Sequence, residues 1–149
     1  MGAFIAPRNV DETIAAYHGH FEPSPWLERP HVNLALFAVC AETEGRARAL
    51  ASSMEAWFVQ TSIRKMNLPF PPSRDARSMN YDTRELAELD AQRGGGIAGT
   101  PDHVAAQLQG LVADGRIHEL TLFTVAEDFA SRLRSYQLIA EACGIGGAS

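Results

Sequence analysis

The residues of this chain with chemical potential are few and scattered. Gly94-Gly95-Gly96-Ile97-Ala98-Gly99 has the form of the dinucleotide pattern G-x-G-x-x-G. That pattern works only when a strand precedes the first glycine and a helix opens within the motif. Here a helical stretch precedes it and the strand-forming pair Ile97-Ala98 lies inside it, so a glycine connection is the expected role. Gly99-Thr100-Pro101-Asp102 offers more, because a glycine and a capped helix start leave backbone N–H groups that can hold a phosphate. The same residues also describe a plain helix cap, with Asp102 supplying negative charge to the dipole. His18 and His20 are two residues apart, which on a helix turns their rings in different directions and prevents joint chelation. His31, His103 and His118 have no partners at metal-ligand spacing. Nucleophile elbow, Walker loop and zinc cluster are all absent from the sequence. Asp128 with Arg132 and Arg134 reads equally as a ligand-binding group or as solvated helix-end charges. Residue chemistry alone therefore names no catalytic residue and no metal ligand.

The chain that must position these groups has 149 residues, 46% apolar and 21% charged, with a formal net charge of −5. That is ordinary globular usage and enough chain for one domain over residues 1–149. The acidic balance excludes a generally basic nucleic-acid binder. The roughly 18-residue apolar run of a membrane helix is missing, and so is a secretory leader pattern. Cys40 and Cys143 stand far apart in apolar surroundings, as reduced thiols of a cytoplasmic protein would.

Hydrophobic spacing orders the elements. Ala3 to Ala6 reads as a short strand closed by Pro7. Asn9 and Glu12 form a capping-box variant ahead of a helix with Val10, Ile14, Tyr17 and Phe21 on one face. His31 to Ala41 is apolar nearly throughout, as a parallel strand covered on both faces should be. A helix over about Glu44 to Met66 follows, with Ala47, Leu50, Ala51, Met54, Trp57 and Phe58 as its apolar stripe. Residues of about 68–92 break the pattern as an insertion: Pro69, Pro71 and Pro72 preclude a regular helix over Leu68 to Tyr81, and a short helix near Thr83 to Gln92 places Leu86 and Leu89 inward. A strand stub at Ile97-Ala98 leads into a helix capped by Thr100 with Pro101 at its first position. Its inward residues are Val104, Leu108, Leu111 and Val112. Glu119 to Val125 is the last strand, and the closing helix, Phe129 to Cys143, turns Leu133, Tyr136, Ala140 and Cys143 to one face and stops at Gly144. Four βα units of this kind predict an α/β half-barrel, with a parallel sheet and right-handed crossovers.

Several segments resemble one family. Tyr17-His18-Gly19-His20-Phe21-Glu22-Pro23-Ser24, Pro30-His31-Val32 and Ala41-Glu42-Thr43 are similar to the later part of the luciferase-like flavin monooxygenases. Gly99-Thr100-Pro101-Asp102-His103-Val104 resembles that family's helix start, G-[ST]-P-E-x-V. Glu119-Leu120 and Arg132-Leu133-Arg134-Ser135-Tyr136 through Glu141 resemble its closing strand and helix. The segments are collinear and spread over nearly the whole chain.

The resemblance implies the second half of a (β/α)₈ barrel, entered near the fifth strand, in enzymes of roughly twice this length. It implies FMN, or a deazaflavin in some branches, bound at the C-terminal ends of the strands. The positions that would face the cofactor are Phe4, Gly99, Thr100 and Thr124. Where relatives often carry Ser-His-Phe-Ala-Pro, this chain has Ala3-Phe4-Ile5-Ala6-Pro7, so a hydroxyl and an imidazole are replaced by apolar groups. The function expected is that of a flavin-dependent monooxygenase or a fragment of one. The alternative is a non-catalytic flavin- or phosphate-binding half-barrel, or a truncated relic acting as an oligomeric scaffold. Open sheet edges and an uncovered sheet face predict either a homodimer or a second chain supplying the first half of the barrel, the competing outcome being that the insertion from Leu68 to Gln92 folds across the open face and caps a monomer.

Overall fold

Strand β2 (Asn33–Cys40) is the axis of the structure, and its near-continuous apolar run is explained by neighbours on both of its edges. The computed structural model describes residues 2–4, 10–93 and 96–145. Three further strands, β1 (Gly2–Phe4), β3 (Gly96–Gly99) and β4 (Glu119–Phe123), all pair with β2 in parallel. Phe37 is in register with both Gly96 and Phe123, so β3 and β4 flank β2 on opposite sides. Asn33 to Ala35 pair with both β1 and β4, which puts β1 on the β3 side. β1 and β3 thus lie end to end along one flank, and the sheet is three ribbons wide.

The parallel α/β architecture is the expected one, but the lateral order is not. Four strands of a half-barrel set side by side in chain order would place β4 beside β3. Instead β4 pairs with β2. The physical reason lies in strand length: β3 has only four residues and covers only Phe37 to Cys40, leaving room on that flank for the three residues of β1.

The two sheet faces have opposite characters. Val32, Leu34, Leu36, Ala38 and Cys40 point to one side and build the main core with Ile14 of α1 (Val10–Gly19), Val104 and Leu108 of α5 (Pro101–Val112), and Leu138 and Ile139 of α6 (Phe129–Ala142). Leu120, Leu122 and Ile97 join that side, as their register with Leu34, Leu36 and Ala38 requires. The opposite face carries Asn33, Ala35 and Phe37, only partly covered, and above them Val39, which packs on Ala47 and Leu50 of α2 (Glu44–Phe58).

Helix α2 stops at Phe58 and continues as a π-helical turn over Val59–Ile63, where one uninterrupted helix to Met66 was expected. Lys65, at φ 55°, ends the run in the left-handed region. In the insertion, α3 (Ser73–Arg77) forms within the stretch from Leu68 to Tyr81 where no regular helix was expected, because Pro72 takes the cap position and no proline falls inside the turn. α4 (Thr83–Arg93) begins with a capping box, Asp82 and Glu85 each accepting the other's backbone N–H. Leu89 is buried as expected, whereas Leu86 is exposed. α6 is turned from its expected phase: Ser135, Leu138 and Ile139 face the core, and Leu133 and Tyr136 are 45% and 38% exposed. The cause is a polar anchor, since the buried Ser135 hydroxyl accepts the N–H of Cys40 at 2.8 Å. Asn9 of the expected capping box lies outside the described residues.

Candidate functional site

Above Phe37 the partly covered face becomes the floor of a cleft of about 740 Å³ over the C-terminal half of β2 and the start of β3. Phe37, Val39, Gly96 and Ala98 form that floor, α2 supplies one wall through Arg48, Met54, Glu55, Trp57 and Phe58, and the insertion supplies the other through Ala76, Arg77, Met79, Tyr81 and Leu89. Carboxyl ends of parallel strands are where open α/β sheets bind ligands. The volume suits one small organic molecule. Two aromatic walls are fixed by neighbours: the Phe37 ring meets Phe123 edge-on at 6.3 Å, and Trp57 is tilted against Phe70 at 6.4 Å.

The insertion is held over the cleft by charged contacts. Arg64, at the end of the π-helical turn, grips Glu85 with Nε at 2.6 Å and Nη2 at 2.9 Å. These bonds, reinforced by the N–H of Asp82, hold the Glu85 carboxyl down at about 2. Glu127, in the loop after β4, accepts both the N–H and the hydroxyl of Ser73 at the start of α3. A further pair, Arg134 to Glu42 at 2.7 Å, ties α6 to the loop after β2 and lowers the Glu42 pKa. Burial raises the neighbouring Cys40 thiol to about 11, followed by the nearby charge of Glu42, which leaves it protonated and unreactive. Cys40 and Cys143 are both free thiols.

The four sequence-predicted positions fall around this end of the sheet with different environments. Gly99 is buried, its carbonyl accepts the N–H of Ala41 at 3.1 Å, and a Cβ added there would come within 2.7 Å of the His103 ring. Thr100 caps α5 without a side-chain hydrogen bond to the helix. Its own N–H donates to Glu44 Oε1 at 3.3 Å, so a carboxylate of the chain already sits against that N–H. Thr124 is buried, donating its hydroxyl to the Ala38 carbonyl at 2.7 Å and its N–H to the Tyr136 oxygen at 3.0 Å. Phe4 ends β1 in register with Ala35, and its side chain lies outside the described residues. Asp128 caps α6 by accepting from Ser131 and Arg132 stacks over Phe129, so these two serve the helix start, whereas Arg134 is given to Glu42.

Two groupings escape sequence reading because they are assembled from distant segments. The cleft is one, joining residues 37 to 98. The other lies at the opposite end of the strands, where His118 has His31 at 5.0 Å and His18 at 6.2 Å between ring centroids. His118 Nδ1 accepts the N–H of Val32, His18 Nε2 contacts the Arg116 carbonyl, and Glu119 receives both His31 and Asn33. His18 is therefore half-buried and partnered, where the sequence predicted only a polar group at a helix end. Among the described residues no group of His, Cys, Asp and Glu converges as a metal site, and no helix is long and apolar enough to cross a membrane.

No protein-family profile matches the chain. It is similar to the uncharacterized protein YceB of Bacillus subtilis strain 168, with 25% identity over 141 residues that make up 95% of this chain and 42% of YceB. The crystal structure of apo-MsnO8 superposes with a TM-score of 0.84 at 27% identity, covering 99% of this chain and 45% of that one. The monooxygenase RslO1 from Streptomyces bottropensis shares the fold at a TM-score of 0.53 and 18% identity, over 95% of this chain and 40% of its own. This chain thus spans less than half the length of the proteins it matches.

Proposed function

We propose that the chain is the C-terminal half-barrel of a luciferase-like flavin-dependent monooxygenase, and that its cleft faces the molecule to be oxidised. The observation that carries this reading is the superposition on MsnO8 across 99% of the chain. The collinear motifs from Tyr17 to Glu141 support the family, and the monooxygenase RslO1 shares the fold. In such an enzyme reduced FMN, or a deazaflavin relative, supplies the redox chemistry.

The residues at hand do not fit the cofactor's phosphate. A phosphate at the start of α5 needs open N–H groups and gains from a cation, yet the Thr100 N–H is given to Glu44. The Gly99 Cβ position is closed by His103, and the Thr124 hydroxyl is given to Ala38. The chain by itself accordingly binds FMN weakly, and the groups that grip the phosphate belong to the other half of the barrel. That half is supplied by a further length of polypeptide, and two copies of this chain cover one another's open faces when it is absent.

Flavin fluorescence tests the reading with two proteins: this chain alone, and a chimera in which it replaces the matched 141 residues of YceB. The expected result is FMN affinity weaker than micromolar for the chain and a clear gain in the chimera. Micromolar binding by the chain alone, or a folded chimera that ignores FMN while YceB binds it, overturns the reading.

A further inference from the structure

The cleft has a chemical character of its own. Its floor and one wall present Phe37, Met54, Trp57 and Phe58, a surface for an apolar ring system. Trp57 is 38% exposed, far more than a ring serving only the core, and Phe70 steadies it from the side. The acidic groups of the lining are engaged, Glu44 by the Thr100 N–H and Glu55 by an electrostatic or hydrogen-bonding contact of its own. Arg77 gives its Nε to the Ser73 carbonyl. Arg48, by contrast, has no ion-pair or hydrogen-bond partner among the described residues, although it stands one helical turn beyond Glu44 on α2. A guanidinium left unpaired in a cleft that also presents aromatic rings is poised for an anionic group.

We propose that this cleft binds a ring-containing, largely apolar molecule bearing one anionic group, with Arg48 holding the anion and Trp57 and Phe37 contacting the rings. The flavin is a poor match for the same space. Its ring system carries a polar edge of N–H and C=O groups that needs several partners, and polar side chains of the lining other than Arg48 are already engaged, Ser52 by the Ala49 carbonyl and Arg77 by the Ser73 carbonyl. Calling the occupant the substrate rests on the monooxygenase reading, whereas the binding itself does not. A carboxylate or a sulfonate meets the same guanidinium, and the shared chemistry is a singly charged group with two acceptor oxygens that Arg48 can take with two N–H groups.

The test uses two fluorescent probes of matched shape, 1-anilinonaphthalene-8-sulfonate and its uncharged analogue N-phenyl-1-naphthylamine, with the intact chain. Saturable binding of the sulfonate at one site per protein is expected. Arg48→Gln should weaken the sulfonate about tenfold and leave the neutral probe within about twofold, since one charge-assisted contact is lost and no apolar one. Trp57→Ala should weaken both probes. FMN should displace neither. Equal effects of Arg48→Gln on the two probes, indifference to Trp57→Ala, or stoichiometric displacement by FMN would each overturn the assignment. Arg48 is exposed, so its substitution leaves the fold intact. Because probe binding is measured without any flavin, failure here is distinct from failure of the monooxygenase reading, which shows in the FMN titration.

Discussion

Thr124 is the point at which strand β4 is locked to strand β2, and replacing it with valine measures that lock. Its side chain is 5% exposed and its hydroxyl donates to the Ala38 carbonyl at 2.7 Å. Thr124→Val keeps the volume and removes the donor, so the Ala38 carbonyl loses that partner in a site closed to water. An acceptor stranded in this way costs about 1–3 kcal/mol. A protein of this length loses roughly 2–4 °C of melting temperature per kcal/mol, which for a central cost of about 2 kcal/mol gives a drop of about 4–8 °C. Thr124→Ser is the control: it keeps the hydroxyl and gives up one methyl group, about 0.8 kcal/mol and so about 2–3 °C. Thermal unfolding followed by circular dichroism should rank wild type above serine and serine above valine. A valine variant as stable as the wild type, or more stable than serine, would refute the argument, because the hydroxyl would then contribute nothing that a methyl group cannot.

Three other outcomes follow from the charges and edges. Glu85 is held at about 2 against an ordinary 4.5, so the unfolded chain binds the proton more readily. Its contribution is complete above the ordinary value and disappears as pH falls towards 2. Urea midpoints measured from pH 6 to pH 2 should fall over that window in the wild type and fall less in Glu85→Gln. Phosphate should leave the wild-type melting temperature unchanged, because Glu44 holds the Thr100 N–H, and should raise it in Glu44→Ala through binding to the folded state. A phosphate-dependent rise in the wild type would mean that the carboxylate does not block the site. Sedimentation equilibrium at micromolar concentration should show two-fold association, since among the described residues β4 pairs only with β2 and Phe123 is exposed on the partly covered face. A single 16.2 kDa species would reject it.

Much of the fold was legible because it is set by local rules. The apolar run of β2, the Thr100-Pro101 start of α5 and the Gly144 stop of α6, at φ 69°, each depend on residues within a few positions of one another. Pattern reading failed where a distant partner decided. The phase of α6 follows Ser135, a small polar residue that periodicity ranks below Leu133, because the Cys40 N–H across the sheet needs an acceptor. The lateral place of β4 depends on β1 and β3 sharing one flank of β2, which leaves the other edge to β4, and no spacing within Glu119 to Phe123 reports that. For the candidate site the contrast is sharper. Gly99, Thr100 and Thr124 are recognisable by motif, yet their hydrogen bonds go to Ala41, Glu44 and Ala38. Arg48 and Trp57 lie on an ordinary amphipathic helix, and only the folding of the insertion against α2 makes them walls of a cleft.

The central claim is that the chain forms one half of a flavin-dependent monooxygenase, and the reaction of reduced flavin with dioxygen tests it most directly. Chemically reduced FMN should be mixed with aerated buffer in a stopped-flow cell and its return to the oxidised form followed by absorbance, comparing the chain alone with the chimera in which it completes YceB. The account predicts that the chain alone leaves the rate of free reduced FMN unchanged and that the chimera, by binding the reduced flavin, changes it. A well-folded chimera that leaves the rate at the free-flavin value, when YceB changes it, would contradict the claim.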